Sequence, residues 1–157
     1  MRPRSRIDVR WAVPGDTDQL LNLMRALADF ESYRSEFRVD SEAILENGFG
    51  DVQKFRALVA EEDGSATLGG MAVLYELPWT FDLKPTLVLK ELYVRQERRG
   101  DGIGKRLMDE IIRHGREIGA SRLNWTVMSG NEPAERFYRQ FGGAPDTKWT
   151  GWTLPLT

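Results

Sequence analysis

Apolar residues recur along this chain with two periods, and the switches between them predict its elements. Residues 7–13 alternate and are rich in β-formers, which predicts a first strand ended by Pro14-Gly15. Leu20, Leu23, Met24, Leu27 and Phe30 recur at helical spacing and predict a buried stripe. Asp16 and Gln19 resemble a capping box at its start. Asp40 is placed to cap a short second helix through Ala43, Ile44 and Leu45, stopped at Gly48. Residues 55–61 and 68–77 read as strands around the turn Glu62-Asp63-Gly64-Ser65, and Pro78-Trp79 breaks the second. A further run, 86–94, leads to a helix with Ile103, Leu107, Ile111 and Ile118 on one side, ended by Gly119. A strand follows over 122–128. Asn131 caps the next helix, Pro133 opens it, and its apolar face is Ala134, Phe137, Tyr138 and Phe141 before Gly142. Residues 148–154 predict a closing strand. This order predicts an α/β (α+β) fold: a mixed sheet of about six to seven strands with helices on both faces. Its N-terminal part is antiparallel, and a parallel β-α-β crossover follows.

One junction carries chemistry. Between the strand 86–94 and its helix lies Arg95-Gln96-Glu97-Arg98-Arg99-Gly100-Asp101-Gly102-Ile103-Gly104-Lys105. A strand, a basic Gly-rich turn and a helix start direct several backbone N–H groups and a positive helix end at one spot. Gly100, Gly102 and Gly104 remove side chains that would keep a ligand away, so a phosphate or pyrophosphate is the natural occupant. A P-loop needs Lys-Ser/Thr after its last Gly, and here the pair is Lys105-Arg106. A Rossmann fingerprint needs its third Gly one residue later.

Composition narrows the classes. With 157 residues, 41% of them hydrophobic, a single folded domain over 1–157 is expected, with 1–6 as a flexible basic tail. A formal charge of −2 argues against a nucleic-acid partner. The absence of cysteine removes disulfides, thiolate metal sites and a cysteine nucleophile, and fits a cytoplasmic location. A single His gives no sign of a metal site, and His114, among Arg113 and Arg116, is expected to be exposed. No run is long enough for a membrane span.

Arg99-x-x-Gly102-x-Gly104 resembles the Arg/Gln-x-x-Gly-x-Gly/Ala signature of the GNAT acetyltransferase superfamily. Leu45-Glu46-Asn47-Gly48-Phe49-Gly50, Leu58 to Glu61, Glu91 to Gly104 and Asn131-Glu132-Pro133…Phe137-Tyr138…Gly142 are similar to its spermidine/spermine (diamine) and thialysine acetyltransferase branch. The resemblance spans nearly the whole chain. It implies acetyl-CoA as co-substrate, no metal, and a homodimer, to which Trp149 and Trp152 could contribute. It also implies that Arg99, Gly100, Asp101, Gly102, Ile103, Gly104 and Lys105 take the pyrophosphate, with Arg98 nearby. Leu92, Tyr93 and Val94 then pair with the pantetheine arm as the sheet splays, and Asn131 touches that arm while capping its helix. Two departures stand out. The branch has two adjacent acids where this chain has Lys90-Glu91, and its acid-rich segment after the first helix here also holds Arg34 and Arg38. Several nearby cations oppose a polyamine and favour a smaller amine or an amino-acid-like substrate.

Acetyl transfer needs an amine stripped of its proton, although amines titrate near 10. Glu91 is the candidate base, directly or through water. The resemblance places Tyr138 as general acid to the CoA sulfur, Glu31 at the substrate amine and Trp152 on the acceptor wall, in a pocket near Tyr33 and Trp79. Lys90 either binds a substrate carboxylate or faces solvent. The expected function is an acetyl-CoA-dependent N-acetyltransferase acting on a small primary amine, whether a diamine, a thialysine-like or an amino-acid-like amine. A protein or peptide amine acetyltransferase and a catalytically weak acyl-CoA-binding regulator stay open beside it.

Overall fold

A computed structural model of the 157-residue chain describes residues 5–78 and 81–157. Residues 1–4 of the expected tail, and Trp79 with its expected place near the acceptor, lie outside the described residues. Chain order is β1 (Ile7–Trp11), α1 (Thr17–Phe30), α2 (Ser41–Phe49), β2 (Arg56–Glu62), β3 (Gly70–Leu77), β4 (Thr86–Val94), α3 (Ile103–Glu117), β5 (Arg122–Asn124) and α4 (Glu132–Arg139). The strands form one sheet in sequence order, antiparallel from β1 to β4 and parallel between β4 and β5. Two compact units divide after Trp125. The first holds the sheet and α1–α3, the second holds α4. Among the described residues no helix is long and apolar enough to cross a membrane.

Alternation along the strands sorts the core into two layers. Ala57, Val59, Met71 and Val73 pack with Leu20, Leu23, Met24, Leu27 and Ile44, so α1 and α2 cover one face. Gly70, next to Met71 and therefore pointing the other way, lies under Ile103 of α3. A Cβ on Gly69 would fall 2.7 Å from the Ile103 side chain, and one on Gly70 would fall 2.8 Å from the Tyr93 carbonyl oxygen. These two glycines let the start of α3 seat directly on the sheet. Ile103, Leu107, Met108 and Ile111 are all buried beneath it. Gly119, at φ +71°, lies just past the end of α3 as expected.

Several expectations need correction. The sheet has five strands among the described residues, not six or seven. β5 ends at Asn124 rather than 128, and 148–154 form no strand. A strand exists only through a hydrogen-bonded neighbour, and the C-terminal segment has no strand partner among the described residues; Trp152 is 94% exposed and Leu154 is 79% exposed. Asp16 does not make the capping box. Its carboxylate accepts from Arg10 at 2.8 and 3.1 Å and from the Val13 N–H at 2.8 Å. Gln19 instead ties α1 to the approach to β3, accepting from the Leu68 N–H and donating to the Ala66 carbonyl. Gly48 does not stop α2 but sits buried within it, where a Cβ would fall 2.9 Å from the Phe55 ring. The expected cap does form: Asp40 accepts from the Ala43 N–H at 2.8 Å. His114 is buried, not exposed, because Trp11 packs edge-on against it at 4.8 Å and the Arg56 guanidinium lies over that Trp ring. Phe30 leaves the α1 stripe and is 58% exposed.

Candidate active site

The Gly-rich turn gathers unpaired backbone N–H groups at the start of α3. After β4, a short turn at Gln96–Arg98 leads to Gly100 and Gly102 at φ +88° and +83°, a region costly for residues with a Cβ. Nothing lies within 4 Å of where a Cβ would stand at either glycine. Gly102 is the N-cap of α3 and contributes no side chain, and the first turn holds no acid. The first N–H groups of the helix, from Ile103, Gly104 and Lys105, therefore lack both an intrahelical partner and a side-chain cap. The helix dipole adds positive character there.

Most cations around the turn are already committed. Arg95 Nε donates to the Leu68 carbonyl at 2.7 Å, and Arg106 donates to the Ile7 carbonyl at 3.1 Å. Arg98 pairs with Glu62 and, at 2.9 Å, with Asp101, which fastens the turn to β2. Lys105 pairs with Asp109 at 2.6 Å. The Arg99 guanidinium stacks over Phe30 at 4.9 Å and Tyr93 at 5.7 Å while its Nε donates to the Val94 carbonyl. The turn thus offers main chain, with Arg98 and Asp101 acting as its brace. The exposed Phe30 serves as a shelf for Arg99, a role that helical periodicity could not signal.

Beside this turn the sheet opens. β5 pairs with β4 only along Thr86, Leu87 and Val88. From Leu89 to Val94, that edge of β4 has no strand neighbour among the described residues. Leu92, Tyr93 and Val94 therefore offer backbone groups for strand addition by an amide-bearing ligand. Unpaired N–H groups at a helix start, adjoining an unpaired β-edge, could hold a cofactor that carries both an anionic group and amides.

The middle of β4 carries a bulge. Leu74 lies opposite Leu89 and Val73 opposite Glu91, so Lys90 is an extra residue. Val73 and Leu74 point to opposite faces, and so do Glu91 and Leu89. Leu89 stays buried on the α3 face, where Leu87 meets Gly115. Glu91 turns to the α1 face with Tyr93, whose partner Met71 lies in that core. Strict alternation would have sent Glu91 the other way.

Glu91 is now a half-buried acid. One carboxyl oxygen, Oε2, is fully buried with no hydrogen-bond partner among the described residues. Burial raises its pKa, Lys90 opposes that rise, and Glu31 adds to it. Glu31 and Tyr33 come from the end of α1. The Tyr33 N–H donates to the Ala28 carbonyl and the Ser32 N–H to that of Asp29, a Schellman closure. Ser32 takes φ +63°, where a glycine is usual. The Tyr33 phenol is pushed up to about 12 by burial and by the charges of Glu91 and Glu31. It therefore keeps its proton at neutral pH. The structure thus gathers Glu31, Tyr33, Lys90 and Glu91 on one face.

The remaining expected residues lie in the second unit. Asn131 caps α4, accepting from the Ala134 N–H at 3.2 Å. Tyr138 stands in the last turn of α4 and is half-buried with its ring edge-on to Phe137. Trp152 is exposed.

Known proteins resemble this chain in sequence and in fold. A family model described as "Acetyltransferase (GNAT) family" matches residues 20–143. The chain is 29% identical over 152 residues to a thialysine N-epsilon-acetyltransferase of Sus scrofa, covering 92% of this chain and 88% of the other. It is 26% identical over 150 residues to spermidine/spermine N(1)-acetyltransferase-like protein 1 of Homo sapiens, covering 93% of this chain and 22% of that longer one. Among solved structures, aminoglycoside acetyltransferase meta-AAC0020 from an uncultured soil metagenomic sample, in complex with sisomicin, matches with a TM-score of 0.79. The identity is 18%, with 96% and 97% of the two chains covered, so this likeness carries the fold alone.

Proposed function

The chain belongs to the GNAT acetyltransferase family, and from that premise we propose that it transfers acetyl from acetyl-CoA directly to a primary amine of a small molecule. The acceptor class is a thialysine-like or other amino-acid amine, or a diamine. The observation that carries this reading is the Glu91 carboxyl, its Oε2 buried and without a partner among the described residues, beside the edge of β4 that β5 leaves unpaired. In this proposal one domain over 1–157 works in the cytoplasm, as a homodimer to which the exposed Trp149 and Trp152 contribute.

Backbone N–H groups of residues 102–105 would hold the pyrophosphate, with Arg99, Gly100 and Asp101 shaping the turn. Leu92, Tyr93 and Val94 would pair with the pantetheine amides, and Asn131 would contact the same arm. When bound, acetyl-CoA supplies the acetyl group as an activated thioester. Glu91 accepts the proton that an amine of pKa near 10 carries at neutral pH. Burial and Glu31 raise the proton affinity of Glu91, which suits a base better than an ordinary carboxylate would. Glu31 draws the cationic amine toward that carboxyl. Tyr138 holds a proton at its phenol oxygen as the acid of the reaction.

Purified protein given acetyl-CoA and a panel of diamines and amino-acid amines should release free thiol. Silence across the panel with intact CoA binding would favour a regulator, and turnover confined to peptides would favour a protein acetyltransferase. Tyr138→Phe should lower kcat by about 100-fold while CoA affinity, measured by calorimetry, stays within about twofold. Equal loss of both would make Tyr138 structural.

A further inference from the structure

A cavity lies at the far end of α3 from the glycine turn. It encloses about 230 Å³ and is lined by Lys54, Arg56, Leu74, Glu76, Leu87 and His114, among others. Leu74 and Leu87 put it on the α3 face of the sheet, whereas Glu91 faces α1. His114 stands in the last turn of α3, roughly 16 Å along the helix from Ile103. It is 8% exposed and is the sole histidine of the sequence. Its ring makes no hydrogen bond among the described residues, and the Glu76 carboxylate stands 3.9 Å from Nε2, beyond hydrogen-bond reach. A buried polar ring is normally satisfied, and this one lines the cavity instead. Two cations stand with it. The Arg56 guanidinium lies over the Trp11 ring at 3.7 Å, which positions it, and neither Arg56 nor Lys54 makes an ion pair among the described residues. Burial holds the His114 pKa below its ordinary value; Arg56 and, more weakly, Arg113 add to that, while Glu76 and Glu117 oppose it. Trp11 and Leu87, from β1 and β4, bring no charge. At neutral pH the ring is therefore uncharged, and the cavity holds two cations against one acid.

We propose that this cavity is a binding site for a small dianion of the phosphate-monoester kind, held by Arg56, Lys54 and His114. The volume is below that of pockets for drug-sized ligands and ample for one such group. The guanidinium supplies a fork of N–H donors, the ammonium a point charge and the imidazole a further N–H. Once protonated, His114 is balanced by Glu76, so Arg56 and Lys54 leave two positive charges for the guest. Arrival of the dianion therefore draws a proton onto His114, and binding strengthens as pH falls. The site stands apart from Glu91 and from the start of α3, and it does not depend on the acetyl-transfer reading.

The sole histidine makes the test direct. Its imidazole resonances are followed by NMR on the untagged full chain while sodium sulfate is added, with ionic strength held constant by sodium chloride. Sulfate serves as the probe because it stays a dianion throughout the range where His titrates. The His114 signals should move saturably. In saturating sulfate their titration midpoint should rise by about one pH unit, so that affinity is about tenfold higher below the midpoint than above it. Lys54→Gln and Arg56→Gln should each weaken sulfate binding about tenfold. Arg56→Gln also loses the Trp11 contact, so Lys54→Gln, at an exposed position, decides the matter if the other does not fold. Inorganic phosphate should displace sulfate, and succinate should do so more weakly. A response that chloride matches, one that grows linearly without saturating, or one that Lys54→Gln leaves unchanged overturns the site. Tighter binding of succinate than of phosphate overturns its assignment to a phosphate-type anion.

Discussion

Glu91→Gln is expected to lower kcat by about 100- to 10,000-fold while the protein becomes more stable at neutral pH. The two effects have one cause. Oε2 of the carboxyl is buried without a partner among the described residues, and ionising the group there is costly. Burial is the largest contribution to its raised pKa, Lys90 opposes, and Glu31 reinforces. The base works only when ionised, so turnover should rise with pH through this raised value. The acid limb then lies above 4.5, the ordinary value for a glutamate, and the variant should lose it. For stability the sign follows from proton binding. The folded state holds this proton more tightly than the unfolded state, so stability falls as pH climbs from the ordinary value through the raised one. Gln carries no such cost. Melting temperatures of the two proteins should converge at low pH and separate toward neutrality, with the variant higher. A variant less stable at pH 7, or one with full turnover, would remove Glu91 from the role of base.

Gly102→Glu is expected to abolish CoA binding without unfolding the protein. Gly102 takes φ +83° as the bare N-cap of α3, and the space where a side chain would grow is open. Strain in the left-handed region costs about 1–2 kcal/mol, within the ~5–15 kcal/mol that holds a domain of this kind together. The carboxylate would arrive where the unpaired N–H groups and the helix dipole attract anions. It would act as a tethered competitor and repel the diphosphate. Calorimetry should show no CoA binding, while circular dichroism and the cooperativity of melting are retained. Near-normal CoA affinity in a folded variant would mean that the diphosphate lies elsewhere.

The glycine turn at the start of α3 was legible because its requirements are local. Glycines at 100 and 102, a preceding strand and a following apolar stripe are all matters of spacing, and the backbone conformations they imply do appear. The strands of the first unit and all four helices were legible for the same reason, since burying one face forces a period on the chain. What failed depended on partners distant in sequence. Asp16 reads as a cap until Arg10 folds back onto it. His114 reads as exposed until Trp11 and Arg56 cover it. The alternation around Trp152 reads as a strand, but alternation cannot supply a neighbouring edge.

Glu91 marks the division. The residues alone determined that a carboxylate stands three positions before the end of the strand that feeds the glycine turn, with a lysine in front of it. They also determined the family, because the signature is short and contiguous. Only the tertiary structure decided which face that carboxylate occupies. The face depends on one unpaired residue in the ladder with β3, a property of two strands in register that no single strand carries. That same slip half-buries the acid, brings Glu31 and Tyr33 to it from the end of α1, and sets Lys90 at its side.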